Sequence, residues 1–237
     1  MEIITCKNNE ELSAKAAEKI IGKITNVTDP KLGLATGSTP IKTYEFLIQA
    51  NKEGKVSFQN VTTFNLDEYV GLAADDPNSY RYFMNEELFD HIDIDKANTY
   101  IPNGSADSSE EESENFEQLI MEQGPIDLQI LGLGLNGHIG FNEPGTPFNK
   151  RTHVVKLDEL TRQSNARFFD DMSQVPTHAI SMGIGTIMEA KEILLLVQGN
   201  QKAEILKQVV HGEVSEDVPA SILQTHPNVT VITDIQL

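Results

Sequence analysis

The chain has 237 residues, of which 18 are basic and 36 are acidic, so its formal net charge is −18. This excess of negative charge disfavours nucleic acid and anionic membranes as partners, because both are polyanions. A hydrophobic fraction of 39% and a charged fraction of 23% are typical of a globular protein and exclude disordered and fibrous classes.

The cysteine content and the apolar runs bear on where the protein acts. Cys6 is the only cysteine, which excludes an intrachain disulfide and a thiolate metal cluster and indicates a reducing compartment. The first residues lack the basic-then-apolar pattern of a secretion signal, and the densest apolar run, 193–197, is far shorter than a membrane span. We therefore expect a cytoplasmic protein.

Short apolar runs alternate with longer amphipathic stretches along the chain. The runs predict strands at 31–36, 61–66, 127–131, 192–197 and 229–233, and the stretches predict helices at 9–24, 40–53, 79–90, 109–123, 158–170 and 200–211. Strands separated by helices in this way indicate βαβ units. Since neither a linker nor a strong repeat divides the chain, we predict one α/β domain over 1–237, with three layers and a mainly parallel central sheet.

The first strand leads into a possible phosphate loop. Ligands of such sheets bind beyond the carboxyl ends of the strands. There Gly37 lets the backbone approach a ligand, and free N–H groups with the hydroxyls of Ser38 and Thr39 suit a phosphate. Thr39 is predicted to cap the next helix, with Pro40 at its first position. An ordinary strand-to-helix turn remains an alternative.

The second strand ends in two adjacent acids, Asp67 and Glu68. Burying both without partners is costly. One of them placed in the ligand crevice would have a raised pKa and could act as a base. The alternative is that both cap a neighbouring element or face solvent.

The third strand opens into the glycine-rich segment 131–147, LGLGLNGHIGFNEPGTP. Gly132, Gly134 and Gly137 match the dinucleotide fingerprint G-x-G-x-x-G, which requires a helix to open at the third glycine. The prolines that follow forbid a useful helix there, so we interpret the match as false and predict a broad loop.

Three polar residues lie within this loop. His138 can move protons near neutral pH, Glu143 can orient its ring or stabilise its charged form, and Asn136 can hold a ring nitrogen or a ligand hydroxyl. A metal site is the rival use of His138 and Glu143. We expect none, since the sequence offers no second histidine at metal-binding spacing.

A phosphate site in so acidic a chain needs local cations. Lys202 follows the fourth strand at the start of a predicted helix, where a bound anion would offset its unfavourable position. Arg167 precedes an apolar pair and is expected to point inward, whereas Arg162 is expected to face solvent.

Five segments together closely resemble the glucosamine-6-phosphate deaminase family, the glucosamine/galactosamine-6-phosphate isomerases. They are ATGSTP at 35–40, FNLDEYVG at 64–71, LGLGLNGHIGFNEP at 131–144, SNARFF at 164–169 and GNQKA at 199–203. The resemblance implies a Rossmann-like sandwich and an enzyme of amino-sugar catabolism. It would convert glucosamine 6-phosphate and water to fructose 6-phosphate and ammonia, without metal or organic cofactor.

The resemblance also implies a role for each site residue. His138 would open the pyranose ring, supported by Asn136 and Glu143, and Asp67 would move a proton between C2 and C1. The phosphate would be held by the residues singled out for it above: Gly37, Ser38, Thr39, Arg167 and Lys202.

One departure concerns regulation. Longer family members are hexamers activated by N-acetylglucosamine 6-phosphate through basic residues after the Asn-Glu-Pro motif, where this chain has His153 and Val155. We therefore expect no such activation, and a monomer or small homo-oligomer. The alternatives for function are a galactosamine-6-phosphate deaminase, a 6-phosphogluconolactonase and a non-catalytic sugar-phosphate sensor.

Overall fold

The computed structural model describes residues 1–166, 169 and 171–236. The strands in chain order are β1 (Glu2–Thr5), β2 (Lys31–Leu34), β3 (Thr62–Asn65), β4 (Asp67–Tyr69), β5 (Thr99–Tyr100), β6 (Leu128–Gly132), β7 (His153–Lys156), β8 (His178–Ser181), β9 (Ile193–Val197) and β10 (Val229–Thr233). The helices are α1 (Asn9–Asn26), α2 (Ser38–Lys52), α3 (Tyr80–Glu87), α4 (Ser109–Gln123), α5 (Glu159–Asn165), α6 (Ile184–Ile187) and α7 (Ala203–His211).

Seven strands form a central parallel sheet in the order β1-β10-β9-β6-β2-β3-β5. A second, antiparallel sheet has the order β4-β8-β7. Only Leu66 separates β3 from β4, so the chain passes from one sheet directly into the other. Asp67 and Glu68, which follow the second predicted strand, therefore lie in the antiparallel sheet and not in the central one.

Two hydrophobic layers cover the central sheet. Alternate residues of a strand point to opposite faces, and β9 shows this directly: Leu194 and Leu196 pack with α1, α2 and α3, whereas Leu195 and Val197 pack with α4, α6 and α7. A strand buried on both faces reads as an unbroken apolar run, as β9 does. The predicted three-layer α/β sandwich with a mainly parallel sheet is confirmed.

The predicted strands are all present in the central sheet, with bounds that differ by up to two residues. The edge strands β1 and β5 and the whole antiparallel sheet were not predicted from the sequence. The helix expected at 158–170 is described as α5 over a shorter range. The helix expected at 200–211 begins with a single 3₁₀ turn, Asn200–Lys202, before α7.

The predicted start of the helix after the first strand is wrong. Gly37, with φ of 89°, is the residue that precedes α2, and Ser38 is its first helical residue. Thr39 therefore lies inside the first turn and does not cap it. Pro40 is the third helical residue, where its missing N–H still costs no intrahelical bond.

None of the helices in the described part of the chain has the length and apolar composition that a membrane span requires.

Candidate active site

Four neighbouring strands of the central sheet carry the motifs singled out from the sequence. The chain continues from β2 to β3 on one side, whereas β6 and β9 lie on the other side of β2. This reversal of strand order between β2 and β6 creates a crevice at the carboxyl ends, where open α/β sheets bind their ligands. At about 4.8 Å between strands, β9, β6, β2 and β3 together span roughly 14 Å. One small ligand can therefore reach loops from all four.

The loop after β2 presents the N-terminus of α2. Gly37 has positive φ, and a Cβ added to it would meet no atom within 4 Å, so the space beside this turn is open. In the described part of the chain, no side chain caps α2 and its first turn holds no acid. The N–H groups near Ser38 and Thr39 are thus available to an anion, which the helix dipole also favours.

Two cations were predicted to complete this anion site. Lys202 lies half-buried in the turn after β9, and the N–H of Gly199 in that turn donates to Asp234 Oδ1 at 2.8 Å. The carboxyl end of β9 is separated from that of β2 only by β6. Arg167 lies outside the described residues.

Asp67 begins β4 and is 6% exposed. Its partner across the antiparallel ladder is Ser181 of β8. Burial, and then the negative charge of Glu68, raise the pKa of Asp67 to about 8. Within the described residues, we find no hydrogen bond to the Asp67 carboxylate. A buried carboxyl group with a raised pKa is suited to accept and return a proton near neutral pH.

Glu68 points away from Asp67 and holds α3 in place. Its carboxylate accepts backbone N–H groups of Tyr69 at 2.8 Å, Tyr80 at 2.9 Å and Arg81 at 2.9 Å, the latter two in the first turn of α3. Burial raises the pKa of Glu68 to about 7, although these hydrogen bonds and the Arg81 charge oppose the shift. The residue types alone left both acids as candidates, and the structure shows that Glu68 caps α3.

The glycine-rich loop after β6 contains a hydrogen-bonded chain of side chains. His138 Nδ1 lies 2.7 Å from Asn136 Oδ1 and 3.3 Å from Glu143 Oε2. Asn136 Nδ2 donates to the same Glu143 oxygen at 2.7 Å, and Thr161 of α5 donates to the other oxygen at 2.5 Å. The three predicted loop residues are therefore joined by hydrogen bonds, and the His138 ring is held at Nδ1.

Glu143 remains ionised throughout the physiological pH range. Burial alone would raise its pKa, but hydrogen bonds and charge from His138, with further hydrogen bonds from Thr161 and Asn136, lower the pKa to about 2. A carboxylate fixed beside an imidazole stabilises the protonated ring and sets its orientation.

The loop depends on two close approaches at glycine. A Cβ on Gly134 would lie 2.3 Å from His138 Cε1, so the imidazole rests directly against this residue. A Cβ on Gly140 would lie 3.7 Å from Asp67 Oδ2. Since Gly140 is two residues beyond His138, the loop that carries the imidazole borders the Asp67 carboxylate.

Some contacts of the site carried no sequence signal. Thr161 was not predicted, because its hydroxyl meets Glu143 only through the placement of α5. Arg162 was expected to face solvent and this is wrong: its guanidinium donates to the carbonyl oxygens of Val175 at 3.0 Å and Pro176 at 3.3 Å. It therefore ties α5 to the segment that precedes β8.

The glycine fingerprint is a false match, as predicted. The loop from 133 to 152 contains turns and one isolated bridge but no helix, so no helix N-terminus follows Gly137. Among the described residues, no group of three or more histidine, cysteine, aspartate or glutamate side chains is arranged to hold a metal ion.

The fold and the site together define an α/β protein that combines an uncapped helix N-terminus with a buried carboxyl group and a histidine–carboxylate pair at the carboxyl edge of its sheet. Residues 7–232 match the profile of the family described as glucosamine-6-phosphate isomerases/6-phosphogluconolactonase, and the chain belongs to this family. The family predicted from the five motifs is confirmed.

The chain is similar to curated relatives over nearly its whole length. It is 58% identical over 234 residues to a glucosamine-6-phosphate deaminase of Shouchella clausii, covering 99% of this chain and 95% of the relative. It is 51% identical over 234 residues to glucosamine-6-phosphate deaminase 1 of Bacillus subtilis, covering 99% and 97%. A solved structure described as a monomeric glucosamine-6-phosphate deaminase has a TM-score of 0.97 at 51% identity, covering 98% of this chain and 97% of that one.

Proposed function

We propose that this chain converts glucosamine 6-phosphate and water to fructose 6-phosphate and ammonia, and that it does so as one domain, 1–237. The proposed site consists of residues 37–39, 67, 136, 138, 143, 167 and 202. The observation that carries the proposal is the close approach of the His138 loop to Asp67 at Gly140, at the edge of the sheet where β2 leads into the N-terminus of α2. Relatives at 51–58% identity that are named glucosamine-6-phosphate deaminase support this activity over the alternatives.

The phosphate provides binding energy away from the reacting carbons. Its oxygens would accept N–H groups at Gly37, Ser38 and Thr39 and pair with Arg167 and Lys202. Contacts to a part of the substrate that does not react can be used to orient C1 and C2.

Ring opening is assigned to His138. The imidazole takes the proton of the C1 hydroxyl and returns a proton to the ring oxygen as the bond between C1 and that oxygen breaks. Glu143 stabilises the charged ring during this transfer, since its carboxylate stays ionised. Asn136 fixes the orientation of the imidazole, because its Oδ1 accepts from His138 Nδ1 and its Nδ2 donates to Glu143.

The isomerisation is assigned to Asp67. Its carboxylate removes the proton at C2 of the open aldehyde while the carbonyl oxygen at C1 takes a proton from the ammonium group of the substrate, giving an enolamine. The carboxyl group then returns its proton to C1, which leaves an iminium group at C2. Water adds to C2 and ammonia leaves with the remaining proton, giving the C2 ketone of fructose 6-phosphate. A raised pKa makes Asp67 a stronger base than an exposed aspartate, and the ammonium group of the substrate, bound next to it, favours its ionised form.

The direct test is to incubate the purified protein with glucosamine 6-phosphate and to measure ammonia and fructose 6-phosphate. Equal amounts of the two products are expected. Faster turnover of galactosamine 6-phosphate, hydrolysis of 6-phosphogluconolactone alone, or binding without any product would each replace the proposal by the corresponding alternative.

Replacing Lys202 with alanine is expected to weaken substrate binding. Loss of a charge-assisted phosphate contact of about 1.5–3 kcal/mol raises KM by about 10- to 100-fold with a smaller change in kcat. Lys207→Ala on α7 is the matched control, because its ammonium pairs with Glu204 on the exposed face. Steady-state kinetics measure both variants, and an unchanged KM in Lys202→Ala would remove this residue from the phosphate site.

Arg167→Ala is expected to behave like Lys202→Ala.

We further propose that the enzyme works in the cytoplasm as a monomer or small homo-oligomer without activation by N-acetylglucosamine 6-phosphate. A solved relative described as monomeric supports the proposed oligomeric state. At the positions expected to bind an activator, Val155 is apolar, and burial lowers the pKa of His153, whose Nδ1 lies 2.9 Å from the Arg151 carbonyl oxygen. A neutral histidine and a valine offer no positive charge to a second phosphate.

Rate against substrate concentration should accordingly be hyperbolic and unchanged by added N-acetylglucosamine 6-phosphate. A sigmoidal curve that this compound makes hyperbolic would contradict the proposal.

A further inference from the structure

The two groups assigned to the chemistry lie on separate elements. Asp67 is on β4 of the antiparallel sheet, whereas His138 is on the loop after β6 of the central sheet. For both to act on one hexose, the distance between these elements must be fixed closely, because small misplacements of reacting groups cost rate. Three buried contacts at the end of β8 join the two elements.

The first contact is made by Ser181, which is fully buried opposite Asp67. Its hydroxyl accepts the backbone N–H of Phe141 at 3.1 Å and donates to the Met182 carbonyl oxygen at 3.2 Å. A single side chain thus bonds the His138 loop to the strand that faces the carboxylate.

The second and third contacts flank the first. Asn142, also fully buried, donates through Nδ2 to the carbonyl oxygens of Ile139 at 2.8 Å and Met182 at 2.9 Å. The N–H of Met182 donates to the Leu66 carbonyl oxygen at 2.7 Å, immediately before Asp67. The end of β8 is therefore bonded on one side to the loop and on the other to the strand of the base.

Gly140 occupies the gap between these groups. A Cβ at this position would lie 3.2 Å from Ser181 Oγ, 3.4 Å from Asn142 Nδ2 and 3.7 Å from Asp67 Oδ2. The backbone of the loop at Gly140 is therefore close to both the serine hydroxyl and the carboxylate, and the Ser181 hydrogen bond to Phe141 acts on the part of the loop that borders Asp67.

We propose that Ser181 is a positioning residue of the reaction, whose hydroxyl sets the distance between the Asp67 carboxylate and the His138 loop. This inference rests on the proposed function. The serine does not touch substrate, and its effect passes through the two groups that do. It therefore acts on turnover and leaves the phosphate contacts at the N-terminus of α2 intact.

The test compares Ser181→Ala with Ser13→Ala, which removes an equally buried hydroxyl from α1. We expect kcat of Ser181→Ala to fall by about 10- to 100-fold with KM within about threefold of the original protein, whereas Ser13→Ala changes neither. Thermal melting of each variant monitors folding. A merely structural serine would lower the melting temperature and the active fraction but would leave kcat per folded molecule unchanged.

A second substitution tests the same gap from the loop side, and keeps the test valid if Ser181→Ala fails to fold. Gly140→Ala inserts a methyl group between the serine and the carboxylate. Gly54→Ala is its matched control, because Gly54 also has positive φ, +70° against +58°, but a Cβ there meets no atom within 4 Å. We expect Gly140→Ala to lose kcat by at least tenfold beyond the control.

The outcomes separate the two proposals. If the original protein makes no ammonia, the proposed function fails. If it is active but kcat per folded molecule of Ser181→Ala and Gly140→Ala matches that of their controls, or if only KM rises, then the positioning role is wrong and the proposed function stands.

Discussion

Asp67→Asn is expected to lower kcat by about 10²–10⁴-fold while the Kd for glucosamine 6-phosphate stays within about an order of magnitude. Asparagine keeps the size of the side chain but cannot take the C2 proton. The proposed phosphate contacts lie on other loops, so we expect the variant to retain them. Stopped assays for fructose 6-phosphate give kcat, and calorimetric titration gives Kd.

The same substitution should not destabilise the protein. Folding raises the pKa of Asp67 from 3.8 to about 8, so the folded state binds more protons than the unfolded state between these pH values. Ionisation of Asp67 therefore lowers the free energy of unfolding as pH rises through this window. We expect Asp67→Asn to melt at the same temperature as the original protein below pH 4, and at the same or a higher temperature at pH 8.

Asp127→Asn provides the opposite control. Asp127 is also buried, but it precedes the first residue of β6, at the end of the sheet opposite the candidate site. There its carboxylate accepts the Lys31 N–H and pairs with Lys191, both at 2.8 Å. Its replacement should lower the melting temperature and leave kcat unchanged. If Asp67→Asn instead turns over at a near-normal rate, the assignment of the proton transfer to Asp67 is wrong.

The second large effect is expected at His138. His138→Gln removes the imidazole to which we assign the opening of the pyranose ring, and we expect kcat to fall by about 10²–10⁴-fold with little change in KM. Glu143→Gln keeps the imidazole but removes the carboxylate that orients and stabilises it. Its kcat should therefore also fall, by no more than that of His138→Gln.

The importance of the position of the His138 imidazole can be tested without replacing His138. Gly134→Ala puts a methyl group within 2.3 Å of the imidazole and must displace it, whereas a Cβ at Gly132 meets no atom within 4 Å. We expect Gly134→Ala to lose most of its kcat and Gly132→Ala to retain it. Equal rates for the two variants would show that the position of His138 does not limit turnover.

The interior of the fold was predictable from local sequence, and its edges were not. β9 is apolar throughout and β10 consists of buried β-branched residues, because both faces of each strand are covered, which makes them recognisable as strands. β4 has the sequence Asp-Glu-Tyr and pairs with β8, which lies far along the chain. Such short polar strands are stabilised by partners and by burial that no local pattern records.

The site shows the same division. Asp67, His138 and Glu143 could be selected because their residue types are unusual after a strand or within a glycine loop. The roles of Glu68 and Thr161 could not, because each depends on which helix lies opposite: α3 for the first and α5 for the second. Sequence patterns indicated the proposed reacting groups, whereas their supporting contacts required the tertiary structure.

The proposed mechanism requires Asp67, His138 and the N-terminus of α2 to act on one bound amino sugar. A crystal structure of the Asp67→Asn protein with glucosamine 6-phosphate would show whether they do. We expect the phosphate on the N–H groups of residues 37–39, C2 within about 3.5 Å of the residue 67 side chain, and the ring oxygen or C1 hydroxyl within hydrogen-bond reach of His138. A sugar bound with its C1 and C2 away from residue 67, or with its phosphate in another cavity, would contradict the mechanism.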